Sequence, residues 1–253
     1  MGGDLAWFGS GIVRSRQLPI IIDRLVQPSS VQSQTSGVAE EAAVRSDLEL
    51  LFDGPPSART TVALAHGAGA PMDSPFMEFF AKGLGKHGFR VARFEFPYMA
   101  TKRATGKGRP PDREPVLRST WLQVVEALGA KGLVIGGKSM GGRIASLVAD
   151  EACVAGLVCL GYPFHPVGKP DRLRVEHLRT IKTPTLILQG ERDPFGSGEE
   201  VGEYKLSRAV KIRWIEDGDH SFKPRKSSGR TERGNWEAAL EEIEPFFRMA
   251  CPG

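Results

Sequence analysis

Residues 132–148 read Gly-Leu-Val-Ile-Gly-Gly-Lys-Ser-Met-Gly-Gly-Arg-Ile-Ala-Ser-Leu-Val, and they restrict the fold more than any other stretch of the chain. Leu133, Val134 and Ile135 form a short apolar run, small residues crowd the next positions, and a helical pattern follows. The order predicts a buried strand, a sharp turn and a helix. Ser139 stands at the apex with Gly137 and Gly141 two positions to either side. That is the G-x-S-x-G spacing of a nucleophile elbow, in which the Ser occupies a strained turn. Its flanking positions must be small, because the strand and the helix that the turn joins lie close together. Gly136 and Gly142 reduce the crowding further.

The same letters satisfy a second pattern. Gly132 and Gly137-Lys138-Ser139 fit the G-x-x-x-x-G-K-[ST] of a phosphate-binding loop. That reading would use Leu133–Ile135 as the loop that wraps the phosphate, exposing apolar side chains and deleting the strand. The elbow keeps them buried and is preferred. An inert Ser in a strand-to-helix turn is the third option, and the remainder of the chain decides among them.

Apolar runs recur at Leu48–Phe52, Thr61–Ala65, Phe89–Phe96, Val154–Leu160, Pro184–Gln189 and Val210–Ile215. Amphipathic segments separate them, at Pro75–His87, Leu117–Leu128, Val201–Leu206 and Asn235–Met249. Leu48–Phe52 reads as an edge strand, and residues 99–114, rich in Lys, Arg, Gly and Pro, read as a loop. Strands apolar throughout that alternate with helices predict an α/β fold: a single doubly wound, mostly parallel sheet with helices on both faces. Residues 46–253 then form one domain. Residues 1–45 carry isolated hydrophobes and the polar tract 29–37 without periodicity, and read as a flexible extension.

In such sheets ligands bind beyond the carboxyl ends of the strands. Gly190-Glu191-Arg192-Asp193 follows one strand, and Glu216-Asp217-Gly218-Asp219-His220 follows the last. The chain order is therefore Ser139, Asp193, His220, the nucleophile, acid, base order of α/β-hydrolases. A Ser hydroxyl needs an adjacent base, and a carboxylate on the far ring nitrogen fixes the base's tautomer. Each assignment has competitors. His165 is the best substitute base, ahead of His66, His87 and His177; Asp217, Asp219 and Asp171 are substitutes for Asp193. An oxyanion needs two backbone donors. Met140 follows the nucleophile, and the loop His66-Gly67-Ala68-Gly69 follows a strand, so Ala68, or failing it Gly67, is the second donor.

His66–Gly69, Gly137–Gly142, Gly190–Asp193 and Gly218–Phe222, with Phe96-Pro97-Tyr98 and Arg109-Pro110-Pro111, resemble an α/β-hydrolase. The similarity is to the dienelactone-hydrolase-like branch, which also holds the testis-expressed and NSL-complex-subunit proteins. It covers about residues 48–250. The resemblance implies a Ser-His-Asp hydrolase without metal or other cofactor, and animal relatives that act in chromatin complexes. Dienelactone hydrolases proper use a Cys nucleophile, from which Ser139 departs.

Composition narrows the partners. No run is long and apolar enough for a membrane span, and the apolar burst Leu18–Ile22 is too short for a signal peptide core. Three cysteines with no zinc spacing fit a reducing cytoplasm. The net charge of +4 is small. Two basic segments, Lys102–Arg113 and Lys223–Arg233, read as solvated loops or as a rim that selects an anionic substrate. They lack the interleaved aromatics of a nucleic-acid surface, so no nucleic acid is expected. The expected function is hydrolysis of a small carboxylic ester or thioester through an acyl-enzyme. The alternatives are a non-catalytic interaction protein on a hydrolase scaffold, with a protein partner, and the phosphate-loop nucleotide binder.

Overall fold

A computed structural model describes residues 11–14 and 48–251. An eight-stranded sheet runs in the order β1-β2-β4-β3-β5-β6-β7-β8. Its strands are β1 (Gly11–Arg14), β2 (Glu49–Asp53), β3 (Thr61–Ala65), β4 (Arg90–Phe94), β5 (Leu133–Lys138), β6 (Gly156–Leu160), β7 (Thr185–Gly190) and β8 (Val210–Ile215). Strands β3 to β8 are mutually parallel, and β1 and β2 are antiparallel to their neighbours. Every residue of β5, β6 and β7 is buried. Strands covered on both faces require that, and it explains why their sequences do not alternate.

Helices α1 (Pro75–Lys86), α2 (Pro97–Thr105), α3 (Glu114–Leu128), α4 (Met140–Val148), α5 (Gly198–Gly202) and α6 (Glu232–Ala250) complete the chain. One face of the sheet packs on α1 and α6 through Val62, Leu64, Val134, Leu186 and Leu188. The other packs on α3 and α4 through Ala63, Ile135, Leu157 and Ile187.

Three local expectations are corrected. Glu49–Asp53 is not the sheet's edge: within the segment read as a flexible extension, Gly11–Arg14 pair antiparallel with it. The unpaired N–H and C=O groups of β2 offer that template. The rest of that segment lies outside the described residues. Residues 97–105, expected as strand end and loop, form α2, with Pro97 in its first turn and Gly106 capping it in the left-handed region at φ 71°. Pro fits that first turn because its missing N–H would have no helical partner. Helix α5 begins earlier than the expected Val201, where the Ser197 hydroxyl and Glu200 carboxylate form a capping box.

A buried ion pair ties β2 to β4. Arg93, 1% exposed, donates from Nε (3.0 Å) and Nη2 (2.6 Å) to Asp53 Oδ2, and from Nη1 to the Met72 carbonyl at 2.8 Å. Removing one partner strands the other charge in the core. Asp53→Ala is therefore expected to cost about 3–5 kcal/mol, read by urea denaturation. A loss under about 1 kcal/mol would mean that Arg93 escapes to solvent.

Candidate active site

The turn after β5 places Ser139 at φ 51°, ψ −115°, outside the region open to most residues. It is held there from both sides: Ser139 N–H donates to the Leu160 carbonyl at 3.0 Å, and its carbonyl accepts the first bond of α4 from Arg143 N at 2.9 Å. The small flanks follow from the backbone around them. A Cβ on Gly141 would lie 2.5 Å from the Ala65 carbonyl oxygen and 2.6 Å from that of His66. Leu133–Ile135 are strand, so the phosphate-loop reading has no loop to use.

The three side chains expected at the ends of β5, β7 and β8 come together. His220 Nε2 lies 2.8 Å from Ser139 Oγ, and His220 Nδ1 lies 2.7 Å from Asp193 Oδ2. With Nδ1–H donating to the carboxylate, Nε2 is the acceptor of the Ser hydroxyl proton. Asp193 is 1% exposed and fully engaged. Its Oδ2 also accepts from Gln189 Nε2 at 2.9 Å, and its Oδ1 from Phe195 N–H at 2.9 Å. The Phe195 ring lies 4.3 Å from the His220 ring. The loop carrying His220 is pinned from α6, by Asn235 Nδ2 to the Phe222 carbonyl (2.9 Å) and Trp236 Nε1 to the Ser221 carbonyl (2.9 Å).

The loop after β3 abuts the nucleophile: a Cβ on Gly67 would lie 3.6 Å from Ser139 Cβ. Its carbonyls are turned to the interior. Gly67 O accepts from His66 Nδ1 (2.7 Å) and Tyr98 Oη (3.3 Å), and Ala68 O accepts from Tyr98 Oη at 2.9 Å. In a planar trans peptide the N–H points opposite its carbonyl. The Ala68 N–H therefore points away from Tyr98, and Ala68 is exposed. Met140 opens α4, so its N–H has no intrahelical acceptor.

The alternative bases are engaged elsewhere. His66 is fully buried between Gly67 O and Phe96 N–H, which donates to its Nε2 at 3.1 Å; burial lowers its pKa and keeps it neutral. His87 caps α1 and meets Glu244 at 2.5 Å. His165 contacts its neighbouring Pro166 carbonyl at 2.9 Å and lies 3.6 Å from Glu200. His177 meets Ser146 Oγ at 2.7 Å, with its pKa pushed down to about 4 by burial. Ser146 lies inside α4 and donates to the Arg143 carbonyl, and no carboxylate among the described residues is in salt-bridge range of His177. Asp217 pairs with Arg192 and Arg225, and Asp219 accepts from the Ser221 and Lys223 N–H groups. Asp171 lies in the loop between β6 and β7.

Comparison with known proteins places the fold in a family. The profile of the alpha/beta hydrolase domain matches residues 58–248. The chain belongs to the alpha/beta hydrolase family. ABHD14B of Rattus norvegicus is 31% identical over 116 residues, 45% of this chain and 52% of that protein. A carboxymethylenebutenolidase of Pseudomonas sp. strain P51 is 29% identical over 122 residues, 47% of this chain and 48% of that protein. The matched stretches thus span about half the length of these relatives. Dienelactone hydrolase from Anabaena variabilis shares the fold, with a TM-score of 0.63 at 21% identity over 81% of this chain and 93% of that one.

Three residues of this alpha/beta hydrolase that touch the site carry no role in the sequence reading: Gln189, Tyr98 and Lys138. Gln189 had a visible signal, a polar residue closing an otherwise apolar strand. Five of the ten cations in the two basic segments are paired. Arg103 pairs with Asp73 and Glu95, Arg109 with Asp112, Arg225 with Asp217, Arg230 with Glu216 and Arg233 with Glu237. Among the described residues no helix is long and apolar enough to cross a membrane.

Proposed function

We propose that this hydrolase is a serine enzyme acting on carboxylic esters or thioesters through an acyl-enzyme. The observation that carries the proposal is the unbroken chain from Ser139 Oγ to His220 to buried Asp193, at 2.8 and 2.7 Å. Ser139 attacks the acyl carbon as its proton passes to His220 Nε2. Asp193 holds the tautomer and balances the imidazolium that forms. The N–H groups of Met140 and Ala68 receive the oxyanion, with Gly67 as the substitute for Ala68. The imidazolium then protonates the leaving alcohol or thiol. Water, deprotonated by the same ring, releases the acid.

The connection between β6 and β7 supports small or surface-presented substrates, since its only helical piece is the short turn Glu176–Arg179. The butenolide in one relative's name is a cyclic ester, which is the bond class proposed here; ABHD14B is named as a candidate protein-lysine deacylase, which would remove an acyl group from an amide. Membership of the dienelactone-hydrolase-like branch with the testis-expressed and NSL-complex proteins is part of the same proposal, as is a cytoplasmic setting, which three free thiols favour. So is the division at residue 45, with the extension lending β1 to the sheet. A purely non-catalytic scaffold would leave the strained Ser139 and its aligned base without a use.

A fluorophosphonate probe, followed by peptide mass analysis, tests the reading. The expected adduct is on Ser139, together with turnover of at least one short acyl ester. Folded protein that takes up no probe at Ser139 and hydrolyses no ester or thioester would remove it.

A further inference from the structure

Lys138 immediately precedes the nucleophile, yet the mechanism above gives it no task. Its side chain is 9% exposed. It leaves β5 on the α1 and α6 side and runs through space that two glycines leave open. A Cβ on Gly67 would lie 3.4 Å from Lys138 Cγ, and one on Gly161 would lie 2.9 Å from Lys138 Nζ. Gly161, at φ 69°, also leaves room for the base: its Cβ would lie 2.7 Å from the His220 carbonyl oxygen. The ammonium donates to that carbonyl oxygen and sits 5.5 Å from the centre of the Phe76 ring.

We propose that Lys138 is a positioning residue for the base: its buried ammonium grips the main-chain carbonyl of His220 and fixes the imidazole between Ser139 and Asp193. Two ties from α6 hold the residues that follow His220, Asn235 at Phe222 and Trp236 at Ser221. The Lys138 bond holds His220 itself. The cation also offsets a carboxylate that would otherwise be buried beside a neutral ring. Asp193, from the loop after β7, and Asp219, beside His220 after β8, are the charged groups that face it, and Phe76 faces it from α1. Burial outweighs the pull of the two carboxylates and draws the Lys138 pKa down to about 8. The ammonium is therefore present at neutral pH and lost in mildly alkaline solution, which converts a charged grip into a neutral one. The inference rests on the serine-hydrolase reading, and two separate measurements keep the two apart.

The first measurement is turnover of a p-nitrophenyl acyl ester by wild type and Lys138→Met, from about pH 6 to about pH 10. Expected is a fall in kcat of about 10- to 100-fold with KM changed little, as for a misplaced catalytic group. The wild-type rate declines above pH 8, where Lys138 loses its proton, and Lys138→Met shows no such decline. The second is hydrogen exchange of the segment 216–224, which needs no activity. Expected is faster exchange at neutral pH in Lys138→Met than in wild type or in Ser139→Ala. In wild type, after correction for the intrinsic rate, protection falls as pH rises through about 8. If no ester is turned over, the hydrolase reading fails while exchange still judges Lys138. If Lys138→Met does not fold, the wild-type exchange profile decides. Unchanged kcat and pH profile in Lys138→Met, or wild-type protection constant across that range, overturns the proposal.

Discussion

Alanine at Ser139 or at His220 is expected to lower kcat for a turned-over ester by about 10⁶-fold, and alanine at both to lower it no further. The proton that leaves Ser139 Oγ has one destination, His220 Nε2 at 2.8 Å. Without the ring the hydroxyl is a weak nucleophile, and without the hydroxyl the ring has nothing to activate. The two losses describe one event and cannot add. Asp193→Asn should cost about 10⁴-fold, because an amide can donate toward Nδ1 and turn the proton to the wrong nitrogen. KM should move little in all of these variants, since none of the three groups is needed to hold the substrate's ground state. The readout is kcat across the single and double replacements, with fold integrity followed by circular dichroism. Independent, multiplying losses for Ser139→Ala and His220→Ala would mean that the two residues serve different steps.

Gly137→Ala is expected to be severely destabilising. The new Cβ would overlap the Ala65 carbonyl of β3, the neighbouring strand, and lie 2.8 Å from the Ala65 nitrogen. It is fixed by the backbone, so no rotamer relieves it, and φ is 147° at this position. Either β3 and β5 part or the elbow opens, and both cut through the core. The expected loss exceeds about 4 kcal/mol, equivalent to a fall in Tm of roughly 10 °C or more for a domain of this size. Gly202→Ala is the control, because nothing lies within 4 Å of its Cβ; it should stay within about 0.5 kcal/mol. Equal melting of the two variants would contradict the close packing of β3 on the elbow.

How much of this was readable beforehand depends on distance along the chain. The elbow is a local object: strand, turn and helix fall within 132–148, and steric demand writes itself as glycines at fixed offsets. The parallel sheet was readable because strands buried on both faces must be apolar throughout. That regularity in turn told where to look for Asp193 and His220. Partnerships between distant residues away from the strand ends are not readable. Arg93 in a buried strand makes sense only once Asp53 lies beside it, and nothing local announces that pairing. Tyr98, thirty residues from the carbonyl it holds, is the same case. Helix α2 escapes a sequence reading because Pro97 can as well close a strand as open a helix, and both are sound uses of Pro. The Ser197–Glu200 cap was within reach, since Ser-x-x-Glu is a local signature.

The outermost parallel strand has a consequence for how separate molecules meet. Among the described strands, β8 is paired on one side only, by β7. A free strand edge is a template on which another chain can add, and long apolar edges invite stacking into larger sheets. Here Lys211, Arg213 and Trp214 are exposed along that strand. Lys211 has no carboxylate partner among the described residues, and Arg213 pairs with Glu242 at 3.0 Å. Charged side chains along an edge strand weigh against such pairing, and Lys211 and Arg213 put them at this flank of the sheet.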